Sequence, residues 1–556
     1  MNTRQKFTSL GISFIFIVAI FSPLVGAFIQ EDKIISSAEK RKLAQLPPFP
    51  SDIEMVEQYP QAFGRYFNDQ FGMRELFLQS FARIKTIIGD TEISSVGKVP
   101  TTNTIKGKDG WFFLNRVWDG DPVSDYRNIS LYSDIDLLRA TLIYAARNDW
   151  LRRKGIRYLL FFAPNKHTIY AEYMPDYIVK QGDISSMDQL YDALARYTSV
   201  TFVDLRDTLI AGKKKAPLYW KDNKKEAALY YKTDSHWNGA GADLVQYEVA
   251  RQVETMFPGL ITPAKRPPED FVMFRSTGDI SLIMGRDDKT AYGPTVFTGK
   301  CSTATPGEFG QKQQITTCDT GKLNVLIFHD SFFTLPLKAF FADYFAKTSF
   351  LWESMSQKAV LSQLKKGKID LVIEERAERF LPLIPNINSE LYNEFWAQLF
   401  PQWKKSVFTL DAILAATNAE GYMANNMQLK YNKTEDSLII QAITDDPGLF
   451  INNIAFNKGR LYMLLVEIDS PENTWLQIFS SSPDPAKQFP DEQLSTIYSI
   501  RKGSNILYIP LFSGNLGNRL RFDPGNSRGL YALKKFTIKE VDPSSLKQIK
   551  GQPLNK

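Results

Sequence analysis

Histidine and cysteine are scarce in this chain, whose 556 residues include three histidines and two cysteines. No cysteine lies near the N-terminus, so lipidation of an early cysteine is excluded. The charge is nearly balanced, with 67 basic and 61 acidic residues, and no basic stripe indicates nucleic-acid binding. Internal repeats, low-complexity tracts and an HExxH motif are also missing. Imidazole chemistry is therefore limited to His167, His236 and His329.

The N-terminal segment predicts export. Residues 7–29 form an uncharged stretch of 23 residues, and roughly 20 are enough to cross a membrane. Arg4 and Lys6 precede this stretch and Glu31 follows it, which favours an N-terminus inside and the bulk of the chain exported. We interpret residues 1–30 as a membrane anchor or signal segment, and small residues at 25–27 keep cleavage open as an alternative.

Cys301 and Cys318 are the candidate disulfide. In an oxidising compartment such a bond stabilises a fold by about 3 kcal/mol in the chain-entropy model. Two unrelated buried thiols remain the alternative, since sequence does not give connectivity. A disulfide here fits the periplasm, with the chain tethered to the inner membrane if its N-terminal helix is retained.

The length of the chain predicts more than one domain. Residues 31–100 are interpreted as a membrane-proximal linker with helices. From 101 to 395 helical and strand-like segments alternate, which predicts an α/β domain with a mostly parallel sheet and helices on both faces. Ligands of such sheets bind beyond the carboxyl ends of the strands. The predicted elements are helices at 134–154 and after Asn238, and strands at 157–164, 200–205, 323–328 and 368–375.

Residues 405–556 have a different pattern, with β-rich runs separated by Gly, Pro, Asn and Asp turns. This pattern predicts a C-terminal antiparallel β-sandwich domain. Trp475 and Tyr508 lie in strand-like runs and are predicted to be core residues. Carbohydrate binding by this domain rests on fold analogy alone.

Three residues form the candidate catalytic group. Asp234 and His236 are two positions apart, so an extended backbone projects both side chains to one side. Ser331 follows the apolar run 323–328 and precedes a predicted helix, which would expose its hydroxyl at a sheet edge. Imidazole can remove the serine proton during attack, and the carboxylate can fix the imidazole tautomer. Ser235 is the rival nucleophile, although no strand end precedes it.

A second set of residues concerns the pocket around Ser331. The backbone N–H of Ser331 is a natural oxyanion donor, and Asn165 or a backbone N–H near Gly278 could supply another. The alternative is that Asn165 and Asp279 only satisfy the backbone groups of turns. His167 and His329 are candidates for the pocket lining, or else histidines buried in the core.

Metal binding is the alternative for the same side chains. His167, His236, His329 and Asp234 suit zinc by ligand type, but they would come from three separate loops. We therefore expect neither a metal nor a cofactor.

Two motifs, "KTDSHWNGAGA" (232–242) and "FHDSFF" (328–333), resemble the SGNH-type domain of the alginate O-acetyltransferases and related polysaccharide-acetylating proteins. Further stretches agree in order over roughly 35–390: "AEKRKLAQLPPFP" (38–50), "GKDGWFF" (107–113), "APNKHTIYAEYMP" (163–175), "STGDISLIMG" (276–285) and "LVIEERAER" (371–379). The resemblance implies an SGNH-like (flavodoxin-like) fold with Asp234, His236 and Ser331 as the triad. His329 lies where SGNH enzymes usually have glycine. This departure concerns how the backbone near Ser331 shapes the oxyanion site.

The resemblance also implies an activity and its partners. We expect an exported O-acetyltransferase that acts on an exopolysaccharide of the alginate type and receives acetyl groups from a multipass membrane acyltransferase. An acetylesterase would use the same residues with water as the acceptor, because the outcome depends on water exclusion. A non-catalytic glycan-binding subunit of a secretion complex is the alternative from another class.

Overall fold

The computed structural model describes most of the chain after residue 102. The described residues are 32, 35–36, 41–42, 44–50, 53–71, 91–94, 97–100, 103–116, 119–222, 224–286, 289–296, 299–301, 313–333, 335–382, 390–482, 489, 495–511, 516–542 and 545. The predicted membrane segment, residues 1–30, lies outside them. Within the described ranges no helix combines the length and the apolar character needed to cross a bilayer.

Short elements precede the α/β region. They are β1 (Ile35–Ser36), β2 (Arg41–Lys42), α1 (Ile53–Gln70), β3 (Thr91–Ser94) and β4 (Gly97–Pro100). Strands β1 and β2 pair antiparallel, as do β3 and β4.

The α/β region contains the next elements of the chain. In order they are β5 (Thr104–Lys106), β6 (Phe112–Leu114), α2 (Pro122–Tyr126), α3 (Asp134–Arg153), β7 (Arg157–Ala163), α4 (Lys166–Ile169), α5 (Ser186–Tyr197), β8 (Thr201–Val203), α6 (Arg206–Gly212), α7 (Gly239–Met256), β9 (Val272–Ser276), α8 (Asp279–Ile283), β10 (Ala291–Thr295), β11 (Gln313–Thr317), β12 (Asn324–Phe328), α9 (Leu335–Ala342), β13 (Lys347–Leu351), α10 (Gln357–Leu364), β14 (Leu371–Ala377) and α11 (Glu390–Leu399).

The main sheet of this region has the strand order β11-β13-β12-β14-β7-β8. Strand β11 runs antiparallel to β13 at one edge, and the other neighbouring pairs are parallel. The predicted α/β class with a mostly parallel sheet is therefore confirmed. Because β12 and β14 are neighbours, the segments that follow their carboxyl ends lie side by side.

Alternate residues of each strand enter opposite cores, as the period of two requires. On one face Phe161 and Ile327 pack in a core with α7 and α9, while on the other Phe162 and Phe328 pack in a core with α3, α5 and α11. Helices thus cover both faces of the sheet, which explains why its strands read as continuous apolar runs.

Two helix starts follow the sequence signals. The Ser133 side chain accepts a hydrogen bond from the Asp136 N–H at the start of α3. The Asn238 side chain accepts from the N–H groups of Ala240 and Gly241 at the start of α7. Each cap satisfies donors that have no partner inside the helix. The Asn238 cap fixes the point at which the loop containing His236 ends.

The C-terminal elements are almost entirely strands. They are β15 (Ser406–Thr409), α12 (Ala412–Ala416), β16 (Tyr422–Asn425), β17 (Met427–Asn432), β18 (Ser437–Ala442), β19 (Gly448–Ile451), β20 (Tyr462–Ser470), β21 (Thr474–Ser480), β22 (Ser495–Ile500), β23 (Gly503–Leu511), β24 (Leu520–Asp523) and β25 (Gly529–Glu540).

These strands form two antiparallel sheets. One has the order β17-β18-β25-β20-β23, with β15 also pairing with β25, and the other has the order β16-β19-β24-β21-β22. Both sheets contribute to one apolar core, including Leu464 and Ile538 from the first and Leu476 and Phe522 from the second. The antiparallel C-terminal sheets match the predicted sandwich.

Trp475 is not a core residue, contrary to the sequence prediction. Its neighbours Leu476 and Ile478 face the core, so the alternation along β21 turns Trp475 outward, where it is 45% exposed. Tyr508 is half-buried and packs on Phe400 with ring centroids 5.5 Å apart. It therefore contacts the α/β region rather than the interior of the sandwich.

Candidate active site

Ser331 lies three residues after β12 ends at Phe328, in the turn before α9. Asp330 organises this turn, because its carboxylate accepts hydrogen bonds from the N–H groups of Phe332 and Ala377 at 2.9 and 2.6 Å. Its own N–H donates to Glu375 Oε2 at 2.9 Å. The ends of β12 and β14 are thereby joined, and the serine occupies the carboxyl edge of the sheet.

The loop with Asp234 and His236 precedes α7. It closes by a bridge between Tyr230 and Trp237 and by a hydrogen bond from the Tyr231 N–H to the His236 carbonyl at 3.2 Å. Within it Asp234 Oδ1 accepts from the His236 N–H at 2.9 Å. The loop is therefore compact, and the same carboxylate fixes both the backbone and the ring of His236.

A chain of hydrogen bonds joins Asp234, His236 and Ser331. His236 Nδ1 lies 2.7 Å from Asp234 Oδ1, and Nε2 lies 2.9 Å from Ser331 Oγ. An ionised carboxylate only accepts, so Nδ1 carries a proton. In the neutral ring Nε2 is then the acceptor for the serine O–H. This is the arrangement in which imidazole acts as a base toward a hydroxyl.

Asp279, the first residue of α8, is a second carboxylate beside His236. Its backbone N–H donates to Asp234 Oδ2 at 2.9 Å, and its Oδ2 lies 3.7 Å from His236 Nδ1. The preceding Gly278 allows this approach, because a Cβ there would lie 2.2 Å from the Thr233 carbonyl oxygen and 3.0 Å from Asp234 Cβ. The backbone N–H of Asp279, next to Gly278, thus holds Asp234 in this geometry, and an oxyanion donor near Gly278 stays a prediction.

The two carboxylates set the protonation of the site. Burial alone would raise the pKa of Asp234, but the charge of His236 and hydrogen bonds from His236 and from the Asp279 N–H hold that pKa well below its usual range. Burial works in the opposite direction on His236, where the charges of Asp234 and Asp279 prevail and raise the pKa of the imidazole above 6.5. Arg379 opposes this rise. The imidazole can thus take up a proton readily.

Ser235 occupies a different position from Ser331. Its hydroxyl donates to Asp279 Oδ2. Ser235 Oγ also lies 3.4 Å from His236 Nδ1, but this nitrogen is already bound to Asp234. A base acting through Nε2 does not face Ser235. The geometry therefore favours Ser331 over Ser235 as the partner of the imidazole.

The remaining pocket candidates bind elsewhere in the fold. The Asn165 side chain donates to the buried carboxylate of Asp125 at 3.2 Å, and its backbone N–H donates to Glu378 at 2.6 Å. A buried carboxylate needs donors, and Asn165 supplies one. The Asn165 amide therefore has Asp125 as an acceptor in this structure, and its role as an oxyanion donor stays a prediction.

His167 and His329 are core histidines by position. His167 Nε2 lies 2.8 Å from the Leu114 carbonyl oxygen, and burial lowers the pKa of this imidazole to about 3. His329 Nδ1 lies 2.8 Å from the Asp330 carbonyl oxygen while its ring packs on Phe333, and burial lowers its pKa to about 4. The two residues are 2–3% exposed, so the structure places neither on an open pocket surface.

The side chains closest to a metal-binding geometry are not the four that were considered as zinc ligands. In the described part of the chain Asp234, His236 and Asp279 bring one ligand atom each within 4.8 Å of one another. In the tautomer that donates from Nδ1 to Asp234, this nitrogen has no lone pair for a metal. The observed hydrogen bonds therefore fit a proton relay better than a metal centre.

Lys166 and Arg379 are residues of the site that the sequence analysis did not predict. Lys166 lies between Asn165 and His167, and its ammonium donates to the carbonyl of Asp234 at 2.7 Å. Arg379 lies over the ring of Phe332, with Cζ 5.4 Å from the centroid. Both follow the ends of sheet strands, a position that could have singled them out.

Cys301 and Cys318 form a disulfide, with Cα atoms 5.2 Å apart. The bond joins the segment before β11 to the residue that follows this strand. The N–H groups of Lys300 and Cys301 donate to the carboxylate of Asp343, at 2.9 and 2.8 Å. The disulfide therefore ties the antiparallel edge of the sheet to the residues after α9.

Comparison with solved structures gives low sequence identities. The O-acetyltransferase domain of Pseudomonas putida AlgJ is 18% identical, with 52% of this chain and 99% of that one covered at a TM-score of 0.34. Bacillus cereus PatB1 with a sulfonyl adduct is 13% identical, covering 52% and 98% at 0.35. Pseudomonas aeruginosa AlgX is 14% identical, covering 79% and 95% at 0.33. No curated protein sequence matches the chain.

A family model gives the more specific comparison. Residues 104–336 match the model described as "SGNH hydrolase-like domain, acetyltransferase AlgX". This range contains Asp234, His236 and Ser331 as well as strands β7, β8 and β12. The resemblance predicted from the motifs is confirmed there: residues 104–336 are similar to an SGNH-like acetyltransferase domain of the AlgX type.

Proposed function

We propose that the chain is an exported O-acetyltransferase that transfers acetyl groups to hydroxyls of an exopolysaccharide, with Ser331 as the nucleophile. One observation carries the proposal: His236 Nε2 lies 2.9 Å from Ser331 Oγ while Nδ1 is held by Asp234 at 2.7 Å. The similarity of residues 104–336 to an acetyltransferase domain supports acetyl as the group transferred.

The first half-reaction loads the enzyme. Ser331 Oγ attacks the acetyl carbonyl carbon of the donor as its proton passes to His236 Nε2. The donor oxygen then leaves and takes that proton from the imidazole, so an acetyl-serine and a deacylated donor result. Asp234 stabilises the transient imidazolium by its hydrogen bond to Nδ1.

The second half-reaction reverses these proton movements. A sugar hydroxyl gives its proton to Nε2 while its oxygen attacks the acetyl carbon, and Ser331 Oγ leaves with the proton returned by His236. In each half-reaction the carbonyl oxygen gains negative charge, which preorganised donors stabilise. We assign one such donor to the backbone N–H of Ser331, which has no hydrogen-bond acceptor among the described residues.

The donor, the acceptor and the location follow from the resemblance and from residues 1–30. A multipass membrane acyltransferase supplies acetyl groups across the bilayer, and the uncharged segment 7–29 tethers the chain to the inner membrane on the periplasmic side. The acceptor is a polysaccharide of the alginate type. We assign carbohydrate binding to the C-terminal sandwich, whose outward Trp475 offers an aromatic surface.

A chromogenic acetyl ester tests the proposal. Purified protein is mixed with the ester, with or without an oligosaccharide, and Ser331→Ala and Ser235→Ala are compared with the wild type. Acetylated sugar that requires Ser331 but not Ser235 is the expected result. Free acetate that no oligosaccharide diverts would identify an esterase instead. Equal turnover by Ser331→Ala and the wild type would contradict the proposal.

A further inference from the structure

Lys166 is a buried lysine at the end of β7, where α4 begins. It is 2% exposed, and its ammonium lies 5.6 Å from the ring centroid of Trp111 and 5.4 Å from that of Phe113. Lysine is almost never fully buried unless its charge has partners. Its partners therefore indicate what the residue does.

The partners are three backbone carbonyls of one loop. The ammonium donates to the carbonyl oxygens of Tyr231 and Lys232 at 3.1 Å each and to that of Asp234 at 2.7 Å. An ammonium has three N–H donors and no acceptor, so every donor of Lys166 is used. All three carbonyls lie within residues 231–234, and only Ser235 separates this segment from His236. One side chain at the start of α4 thus fixes the path of the loop that carries the imidazole.

The ammonium also faces the two carboxylates beside His236. Burial lowers the pKa of Lys166 to about 7, while the charges of Asp234 and Asp279 act to keep it protonated. The charges of Asp234 and Asp279 act on the imidazole of His236, with Arg379 opposing them. The ammonium of Lys166 acts on the same two carboxylates. Lys166 therefore interacts with both carboxylates that hold a proton on His236.

We propose that Lys166 is a positioning residue of this acetyl-transfer site, a role that rests on the proposed function. Its ammonium holds residues 231–234 in the conformation that aims His236 Nε2 at Ser331 Oγ, and its charge offsets the carboxylates that face the imidazole. Methionine is an unbranched side chain one heavy atom shorter than lysine, and it has neither the donors nor the charge. Lys166→Met should therefore loosen the loop and leave His236 more basic.

The test measures how fast phenylmethylsulfonyl fluoride labels Ser331, because that step forms the serine sulfonate, releases fluoride and needs no acetyl acceptor. Lys166→Met should be labelled roughly 10- to 100-fold more slowly, as expected when a reacting group is misplaced by about 1 Å. The pH at half-maximal rate should rise by about one unit, since a cation near the site no longer offsets the carboxylates. Peptide mass spectrometry confirms the site of labelling.

Lys213→Met is the matched control, because the ammonium of Lys213 pairs with Glu172 at 2.9 Å and lies 4.6 Å from the ring centroid of Tyr170, so its partners are not residues 231–234. It should keep the rate and the pH midpoint of the wild type. Thermal unfolding identifies variants that fail to fold, and Lys166→Gln, which keeps two donors without the charge, then replaces the methionine variant.

The outcomes separate the two proposals. A wild type that is not labelled at Ser331 contradicts the proposed function and the role of Lys166 together. A labelled wild type matched by Lys166→Met in rate and midpoint contradicts the role of Lys166 alone. A rate loss without a shift in midpoint, or failure of both Lys166 variants to fold, also overturns it, because either result describes a residue needed only for the fold.

Discussion

The carboxylate of Asp279 accepts two hydrogen bonds from Ser235, one from the backbone N–H to Oδ1 at 2.7 Å and one from the hydroxyl to Oδ2. Ser235 lies between Asp234 and His236, so Asp279 holds the middle of the loop. The contact joins α8 to the loop that carries the imidazole. Asp279 is thus a fourth polar side chain of the site, besides Asp234, His236 and Ser331.

Asp279→Ala removes both acceptors and should lower kcat about 10- to 100-fold, the range expected when an active-site group is misplaced by a fraction of an ångström to 1 Å. Asp279→Asn keeps a carbonyl oxygen for one of the two donors and should lose less. Steady-state kinetics with the acetyl ester measures both variants. A wild-type rate for Asp279→Ala would show that Ser235 does not need this anchor.

Gly278→Ala should reduce activity while the fold is kept. The added Cβ would approach the Thr233 carbonyl to 2.2 Å, so the loop must shift and move Asp234 with it. Gly182→Ala is the control, because no atom lies within 4 Å of a Cβ at that position. Circular dichroism and ester turnover compare the two variants. Equal activity of both would show that the loop tolerates the displacement.

The pH profile of ester turnover reports on His236. Neutral imidazole is the base, so the rate should rise with pH through the pKa of this group. That pKa lies above 6.5, because the charges of Asp234 and Asp279 outweigh the opposing effect of burial. Asp234→Asn should lower the midpoint and slow the reaction by roughly 10⁴-fold, as in other Ser–His–Asp sites. A wild-type midpoint below 6.5 would contradict this electrostatic account.

Much of the architecture could be predicted from sequence because local signals dominate it. The apolar run at 323–328 became β12, Asn238 capped α7, and the spacing of Asp234 and His236 placed both side chains toward one partner. Each of these features depends on residues within a few positions in the chain. The α/β class and the C-terminal antiparallel sheets follow from the same kind of signal.

Features that depend on distant residues could not be predicted. Asn165 donates to Asp125 and Lys166 to the carbonyls of 231–234, and neither partner is visible in a local pattern. Periodicity gives the alternation along β21 but not which face is inside, and Trp475 proved to be outside. The burial of His329 also depends on distant residues. Its ring lies near Phe350, which is in β13, and near Trp352, which follows β13.

The disulfide should be measurable as a gain in stability. Replacing Cys301 and Cys318 by serine should lower the free energy of unfolding by about 3 kcal/mol in the loop-entropy model. Urea unfolding of the oxidised wild type and the double variant gives the difference. Alkylation followed by mass spectrometry should modify neither cysteine before reduction and both after it. Modification of either cysteine without reductant would contradict the bond.

The central claim is that Ser331 carries the acetyl group between donor and acceptor. Mass spectrometry of protein quenched during turnover of the acetyl ester tests it most directly. The peptide that contains Ser331 should gain the mass of one acetyl group, lose it when oligosaccharide is added, and remain unmodified in His236→Ala. Acetyl found on Ser235 instead, or turnover that never modifies Ser331, would contradict the account.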